Sequence, residues 1–324
     1  MASNDSTAAK PGYQGTEKLL WGIVLGVVTF WLFAGTTGTV APSILNDISS
    51  DPSRPFMDVN AMNLAVSITA LFSGIFIVVM GGLADRVGRV RIALTGNVLG
   101  MVGSLMIVLA SGSAALPLLL GGRAIQGLSA ACIMPSTMAL VKTYWDGKAR
   151  QRAVSMWSIG SWGGSGLAAI FGGYMATLVS WRAIFMISIV ISVISFLMIK
   201  GTPESKAEAT GQAHRFDAVG VVVYMVSMIS LMIVLIFGSK IGWTSGVTIG
   251  LAVVAVVGLF IFVRVERKTA SPFVDFKLFG NKTFTGATIS NFLLNGTIGL
   301  LIVTQQLFQL AGHDPVTGEL MTAS

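Results

Sequence analysis

The sequence predicts an all-α, polytopic membrane protein, and three observations carry that prediction. Its 21 Lys and Arg and 14 Asp and Glu make up only 11% of 324 residues, where an ordinary soluble domain carries about 25% charge. Hydrophobic residues reach 53%. Those residues also gather into nine charge-poor stretches, each of about 20 residues, the length a helix needs to cross about 30 Å of hydrocarbon. Disorder, a disulfide scaffold and nearly every soluble enzyme are excluded by this composition.

In chain order the stretches are 19–45, 61–83, 92–110, 115–141, 153–179, 183–199, 218–237, 245–263 and 284–310. β-Branched runs such as 187–194 would suit strands. Their length and lack of alternation favour helices, and only helices or closed barrels satisfy a backbone in lipid. The connections then fall alternately on two sides. The N-terminus and the links at 84–91, 142–152, 200–217 and 264–283 hold 17 Lys and Arg, and the opposite links hold Arg54, Arg182 and Lys240. That imbalance places the N-terminus in the cytoplasm of a multi-pass protein of the inner (cytoplasmic) membrane. The net charge of +7 is thus a topological signal, and no nucleic-acid partner is needed to explain it.

Residues 1–18 read as a disordered cytoplasmic lead, followed by an uncleaved first span. Six spans fill 19–199 as an N-terminal bundle, and 200–217 reads as a charged, helix-breaking cytoplasmic linker. Two additional spans occupy 218–263. A basic loop and one further helix, at 264–324, read as the start of an incomplete second bundle. The single Cys132 lies within a span and reads as a packed thiol, and His214 and His313 stand apart, so no metal set or cofactor motif is present. Two matches to glycosylation sequons, at Asn281 and Asn295, fall in a cytoplasmic loop and in a span.

No Asp or Glu lies inside the nine stretches, which makes Arg123 the one ionised side chain at depth. It sits about eight residues, or about 12 Å, into its span. It therefore lines a substrate or proton pathway, or else snorkels to the interface. Gln126 shares its helix face. A second constellation is Gly81-Gly82-Leu83-Ala84-Asp85-Arg86-Val87-Gly88-Arg89-Val90-Arg91 between spans two and three. Glycine permits a tight reversal there, and Asp85 can pair with the arginines. An ion-paired latch and a plain positive-inside loop both fit. In span five, Gly160, Gly164, Ala168 and Gly172 recur every fourth residue and Gly173 follows, a stripe that admits another helix closely. Span nine carries Thr288, Asn291 and Asn295 on one face, which suits cavity lining or helix–helix hydrogen bonding. The aromatic group Trp21, Phe30, Trp31 and Phe33 suits stacking on a flat or cationic ligand, or packing against lipid.

Together these constellations resemble the major facilitator superfamily. Residues 81–91 are similar to its glycine-x-leucine-alanine-aspartate-arginine-x-glycine-arginine loop, with Val90 where a basic residue is usual. Leu119, Arg123, Gln126, Gly127, Ala130 and Ala131 resemble its fourth-helix pattern. Span five resembles its antiporter motif, with Ala168-Ala169 in place of glycine-proline. The 201–206 segment, Phe216-Asp217 and the 275–279 segment are similar to the 14-helix drug:proton antiporters, and 127–136 and 157–166 to the quinolone-resistance pumps among them.

That resemblance implies a non-enzymatic, proton-coupled exporter of amphipathic drugs that works by alternating access. Arg123 and Gln126 would serve proton coupling, and Asp85, Arg86, Gly88 and Arg89 a cytoplasmic latch. Gly160, Gly164, Ala168, Gly172 and Gly173 would make a close helix contact, while Phe30, Phe33, Asn291 and Asn295 are substrate-binding candidates. The expected partners are small amphipathic substrates, protons and the bilayer. The family has five more helices, so the chain reads as C-terminally truncated and in need of a complementary half. A non-transporting fragment and an exporter of an endogenous metabolite are the alternative readings. A lipid-modifying membrane enzyme would need a nucleophile, a carboxylate pair or a metal set that the sequence does not offer.

Overall fold

The computed structural model describes residues 13–49, 59–206, 218–269, 274 and 276–311. Among them the chain is helical, with no strand. The helices are α1 (Glu17–Ser49), α2 (Val59–Val87), α3 (Arg89–Val108), α4 (Ala115–Tyr144), α5 (Gly147–Ser158), α6 (Gly164–Leu178), α7 (Trp181–Ile199), α8 (Ala218–Ile241), α9 (Gly246–Glu266) and α10 (Lys282–Ala311). Six described segments are long and apolar enough to cross a membrane, namely Ala61–Val87, Arg89–Val108, Gly112–Tyr144, Trp181–Ile199, Val219–Ile241 and Gly246–Glu266. A seventh is α1, if its halves Glu17–Trp31 and Gly35–Ile48, which meet at 41°, form one bent span. The expected span at 153–179 lies in one uninterrupted helical run, α5 and α6 joined by a π-helical turn, Ile159–Gly163. Together they make 32 residues from Gly147 to Leu178, and a π turn of this kind is a local widening inside a helix.

The exterior is apolar in the manner of a lipid-facing surface. Leu167 is 71% exposed, Ile170 75%, Val256 68% and Phe260 59%, contiguous display that a water-soluble monomer avoids. Polar side chains are drawn inward, and Asn97, Ser104, Arg123, Gln126, Ser188 and Ser195 are all fully buried.

The described residues fall into two compact units, one ending at Arg264 and the other beginning at Val265. In the first, α4 packs on α2 and α3, and α1 packs on α6 and α7. Two apolar clusters sit at opposite ends of this bundle. One gathers Leu20, Ile23, Ala93, Leu140 and Ile199, and the other Ile44, Ile107, Leu119, Trp181 and Phe185. At the latter end Arg182 Nη1 pairs with Asp47 at 2.6 Å and Trp181 Nε1 donates to the same carboxylate at 3.2 Å, while Arg182 Nη2 donates to the Ala110 carbonyl at 3.1 Å. These bonds tie α1 and α7 to the end of α3. At the opposite end Glu17 pairs with Arg152, joining α1 to α5. α8 meets α2 through the Tyr224 hydroxyl, 3.5 Å from the Gly74 carbonyl. In the second unit, a 3-10 turn at Phe276–Gly280 precedes α10, whose described side chains are mostly exposed.

Close approach of α3 and α4 depends on small residues. A β-carbon at Gly103 would lie 2.7 Å from the Gly122 carbonyl oxygen and 3.1 Å from the Gln126 backbone nitrogen. Both are backbone atoms that cannot rotate away. Gly103→Ala is therefore expected to destabilise the bundle by about 1–3 kcal/mol, seen as a lowered melting temperature in detergent micelles. Gly173→Ala, whose new carbon would find no atom within 4 Å, should melt like the parent.

Candidate functional site

Arg123 lies mid-bundle on α4 with 0% exposure. Its guanidinium is held by backbone carbonyls of α2, with Nε donating to Ala65 at 2.9 Å and Nη2 to Val66 at 3.3 Å. Nη1 donates to Gln126 Oε1 at 3.0 Å, so the two residues expected on one face are in contact. Thr69 on α2 returns a bond to the Arg123 carbonyl at 2.9 Å. An arginine bonded this way points into protein and does not snorkel.

From Gln126 a chain of hydrogen bonds crosses the bundle. Gln126 Nε2 donates to Ser104 of α3 at 3.1 Å, Ser104 lies 3.0 Å from Ser188 of α7, and Ser188 donates to the Phe185 carbonyl at 2.7 Å. The direction of the chain is fixed at its ends. Guanidinium can only donate and a carbonyl can only accept, and each hydroxyl has one proton. Ser104 must therefore donate to Ser188, and every link runs from Arg123 toward α7. Aligned dipoles of this kind strengthen one another in a low dielectric.

The 81–91 constellation forms the end of α2, a one-residue reversal and the start of α3. Gly88 makes that reversal at φ 138°, a conformation side chains rarely adopt. Arg89 is then set to pair with Asp85, its Nε and Nη2 each 2.8 Å from Oδ1, and its Nη1 donates to Thr143 of α4 at 2.7 Å. Arg86 is exposed in the same turn. In the glycine stripe, β-carbons at Gly160 and Gly164 would come within 3.2 Å of the Val24 carbonyl and 3.3 Å of Trp31 Cβ, and one at Gly172 would strike Thr36. Those three glycines face α1. Gly173 faces open space, and the Ala168 side chain lies outside the described residues.

Phe30 is half-buried and edge-on to Trp31, their ring centres 5.2 Å apart, with Trp162 6.1 Å beyond Trp31. The Phe33 side chain is outside the described residues. Asn295 Nδ2 donates to the carbonyl and to Oδ1 of Asn291 at 2.7 and 3.0 Å on α10, so these amides serve one another in the second unit. Among the described residues no group of three His, Cys, Asp or Glu could hold a metal ion.

Sequence reasoning missed Ser104, Ser188, Thr143 and the Asp47–Arg182 pair. A signal existed for one of them: Ser188, Ser192 and Ser195 recur at helical spacing in an otherwise apolar stretch, and all are buried.

A helical bundle with an apolar exterior and a buried, hydrogen-bonded arginine is a multi-pass membrane protein. Its residues 23–218 match the model of the Major Facilitator Superfamily, and the chain belongs to that family. It is 48% identical over 298 residues to the quinolone resistance protein NorB of Staphylococcus aureus strain MRSA252, covering 92% of this chain and 62% of that one. NorB of strain Newman gives 48% over 302 residues, with 93% and 63% covered. The chain thus spans less than two thirds of the length of these curated relatives. Among solved structures, the POT family transporter PepTSo superposes with a TM-score of 0.53 at 17% identity, covering 78% of this chain and 53% of that one. A peptide transporter POT in complex with sulfate gives 0.53 at 18% identity, covering 81% and 54%. At such identities these two share the fold alone.

Ser104→Ala should leave the buried Gln126 Nε2 without its acceptor, at a cost of about 1–3 kcal/mol. The expected result is a lowered melting temperature, whereas substitution of the exposed Ser111 should change nothing.

Proposed function

We propose that the chain forms the N-terminal part of a proton-coupled secondary transporter that exports amphipathic drugs, quinolones among them, by alternating access. The observation that carries this reading is the buried Arg123–Gln126 pair, a guanidinium enclosed about 12 Å into an apolar span. A charge at such depth is costly and is retained where protons, ions or substrate pass. Likeness to proteins named for quinolone resistance supports the substrate class.

In this reading residues 19–199 are the six-span transport bundle, 200–217 the linker and 218–263 two additional helices. Residues 264–324 begin the second bundle. Arg123 and Gln126 serve proton coupling. Asp85, Arg86, Gly88 and Arg89 form the latch, the span-five glycines seat that helix on α1, and Phe30, Phe33, Asn291 and Asn295 contact substrate. The bias of 17 Lys and Arg against three supports a cytoplasmic N-terminus in the cytoplasmic membrane. Alternating access needs a site between two halves, and coverage of only 62% of NorB favours a complementary C-terminal segment as partner.

The test is quinolone accumulation in a drug-sensitive host making this chain together with the C-terminal portion of a NorB-type relative. Reduced accumulation that collapses with the proton gradient is expected. Arg123→Ala should abolish it with membrane insertion preserved, because a methyl group replaces every guanidinium bond to α2 and Gln126. Efflux that survives Arg123→Ala unchanged would overturn the coupling role. Efflux absent from the assembled parent would favour a metabolite exporter or a non-transporting fragment.

A further inference from the structure

The first turn of α3 is capped by a segment more than 110 residues away in sequence. A helix N-terminus presents N–H groups with no intrahelical partner, usually met by the side chain of the capping residue. Here that residue is Gly88, which has none. Residues 204 and 205 supply the acceptors instead. The Arg89 N–H donates to the Ser205 carbonyl at 3.0 Å, the Val90 N–H to Glu204 Oε1 at 2.8 Å, and the Arg91 N–H to Glu204 Oε2 at 3.0 Å. Arg91 Nε, 3.9 Å from Oε2, adds a cation. The Tyr144 hydroxyl at the end of α4 donates to the Pro203 carbonyl at 2.5 Å, so the segment is pinned from a second helix. A β-carbon at position 88 would lie 2.6 Å from Glu204 Oε2, so a side chain there would push the carboxylate off the cap.

The capped turn is also the one that carries Arg89, with its bonds to Asp85 and Thr143. The carboxylate sits where the helix dipole favours an anion, and it fixes the backbone from which the Arg89 side chain departs. Beyond Lys206 the sequence runs through 207–217 into α8.

We propose that residues 201–206 are a strap across the latch, and that Glu204 is a positioning residue that holds Arg89 engaged and couples the linker before α8 to the latch. The proposal rests on the reading of the 81–91 turn as a latch. Withdrawal of Glu204 uncovers two amides of α3, loosens the turn and frees Arg89 to exchange partners. The strap is thus a point, besides the α2–α8 contact at Tyr224, at which movement of the additional helices reaches the six-span bundle.

Two readouts that require no transport test this in the full chain, reconstituted in lipid nanodiscs. Hydrogen exchange reports the amides of residues 89–91. Thiol labelling of Ala84→Cys in a Cys132→Ser background reports the latch, because Ala84 is 1% exposed and accepts the Gly88 N–H at 3.0 Å. Glu204→Ala is expected to speed both by about fivefold or more, the scale of losing a helix cap. Glu204→Gln, which keeps one acceptor and the shape, should fall between and serves if the alanine variant does not fold. Faster exchange with unchanged labelling would reduce Glu204 to a structural cap and overturn the proposal, as would two unchanged readouts. Both accelerations in Glu204→Ala, beside a parent that exports no drug, would sink the transporter reading and leave the strap standing.

Discussion

A guanidinium enclosed in an apolar bundle needs acceptors for its N–H groups within a bond's length. In this chain the backbone of a neighbouring helix provides them. For Ala65 and Val66 carbonyls to reach Arg123 at 2.9 and 3.3 Å, α2 must run against α4 with almost nothing between them. Gly127 makes that possible, since a β-carbon there would lie 2.6 Å from the Thr69 carbonyl. Thr69 in turn spends its hydroxyl on the Arg123 carbonyl. The same demand extends to the other face of α4. Gln126 must present its oxygen to the arginine, which aims its nitrogen at Ser104 on α3, and Gly103 and Gly122 bring that helix close enough to receive it. Removing the charge would therefore remove the reason for two close helix pairings as well as one side chain.

Polar chemistry changes with depth along the bundle. At mid-depth the Arg123 guanidinium donates to the Ala65 and Val66 carbonyls and to the Gln126 amide oxygen, which accept without adding a second charge to desolvate. At the ends, where water reaches, full ion pairs appear: Asp47–Arg182 at one end, and Asp85–Arg89 and Glu17–Arg152 at the other. Asp47 and Asp85 are each 46% exposed, and such pairs are individually weak. What they supply is geometry. Arg182 also reaches the Ala110 carbonyl and Arg89 also reaches Thr143, so each pair joins separate helices and can exchange partners at little cost.

Much of this was legible in the sequence because bilayer physics acts on composition. Helix identity, the approximate ends of α1 to α4 and the contact of Arg123 with Gln126 follow from apolar length and a three-residue spacing. The α3 glycines were not singled out, although Gly96, Gly100 and Gly103 all meet α4, because glycine is common in such helices and no one-chain pattern says which face finds a partner. Ser104 escaped for a related reason. Its value lies in Gln126 and Ser188, on two other helices, and that conjunction exists only after folding. Glu204 read as a linker charge, since its acceptor role depends on an N-cap 116 positions earlier that lacks a side chain.

The stripe at Gly160, Gly164, Ala168 and Gly172 shows how a pattern can be right about contact and silent about path. Three of its glycines do seat the helix on α1, where Val24, Trp31 and Thr36 leave no space for a β-carbon. The helix does not run straight through the stripe. Its irregularity is the π-helical turn Ile159–Gly163, upstream of the Ala168-Ala169 pair. A π turn inserts one extra residue and rotates everything beyond it by about 100°. Here it turns Ser161 inward, 3% exposed, to accept from Trp31 Nε1 at 3.3 Å, and leaves Trp162 38% exposed beside Trp31. The α1 contact is thus made both within the π turn and beyond it, by Gly160 and Ser161 against Val24 and Trp31 and by Gly164 and Gly172 against Trp31 and Thr36.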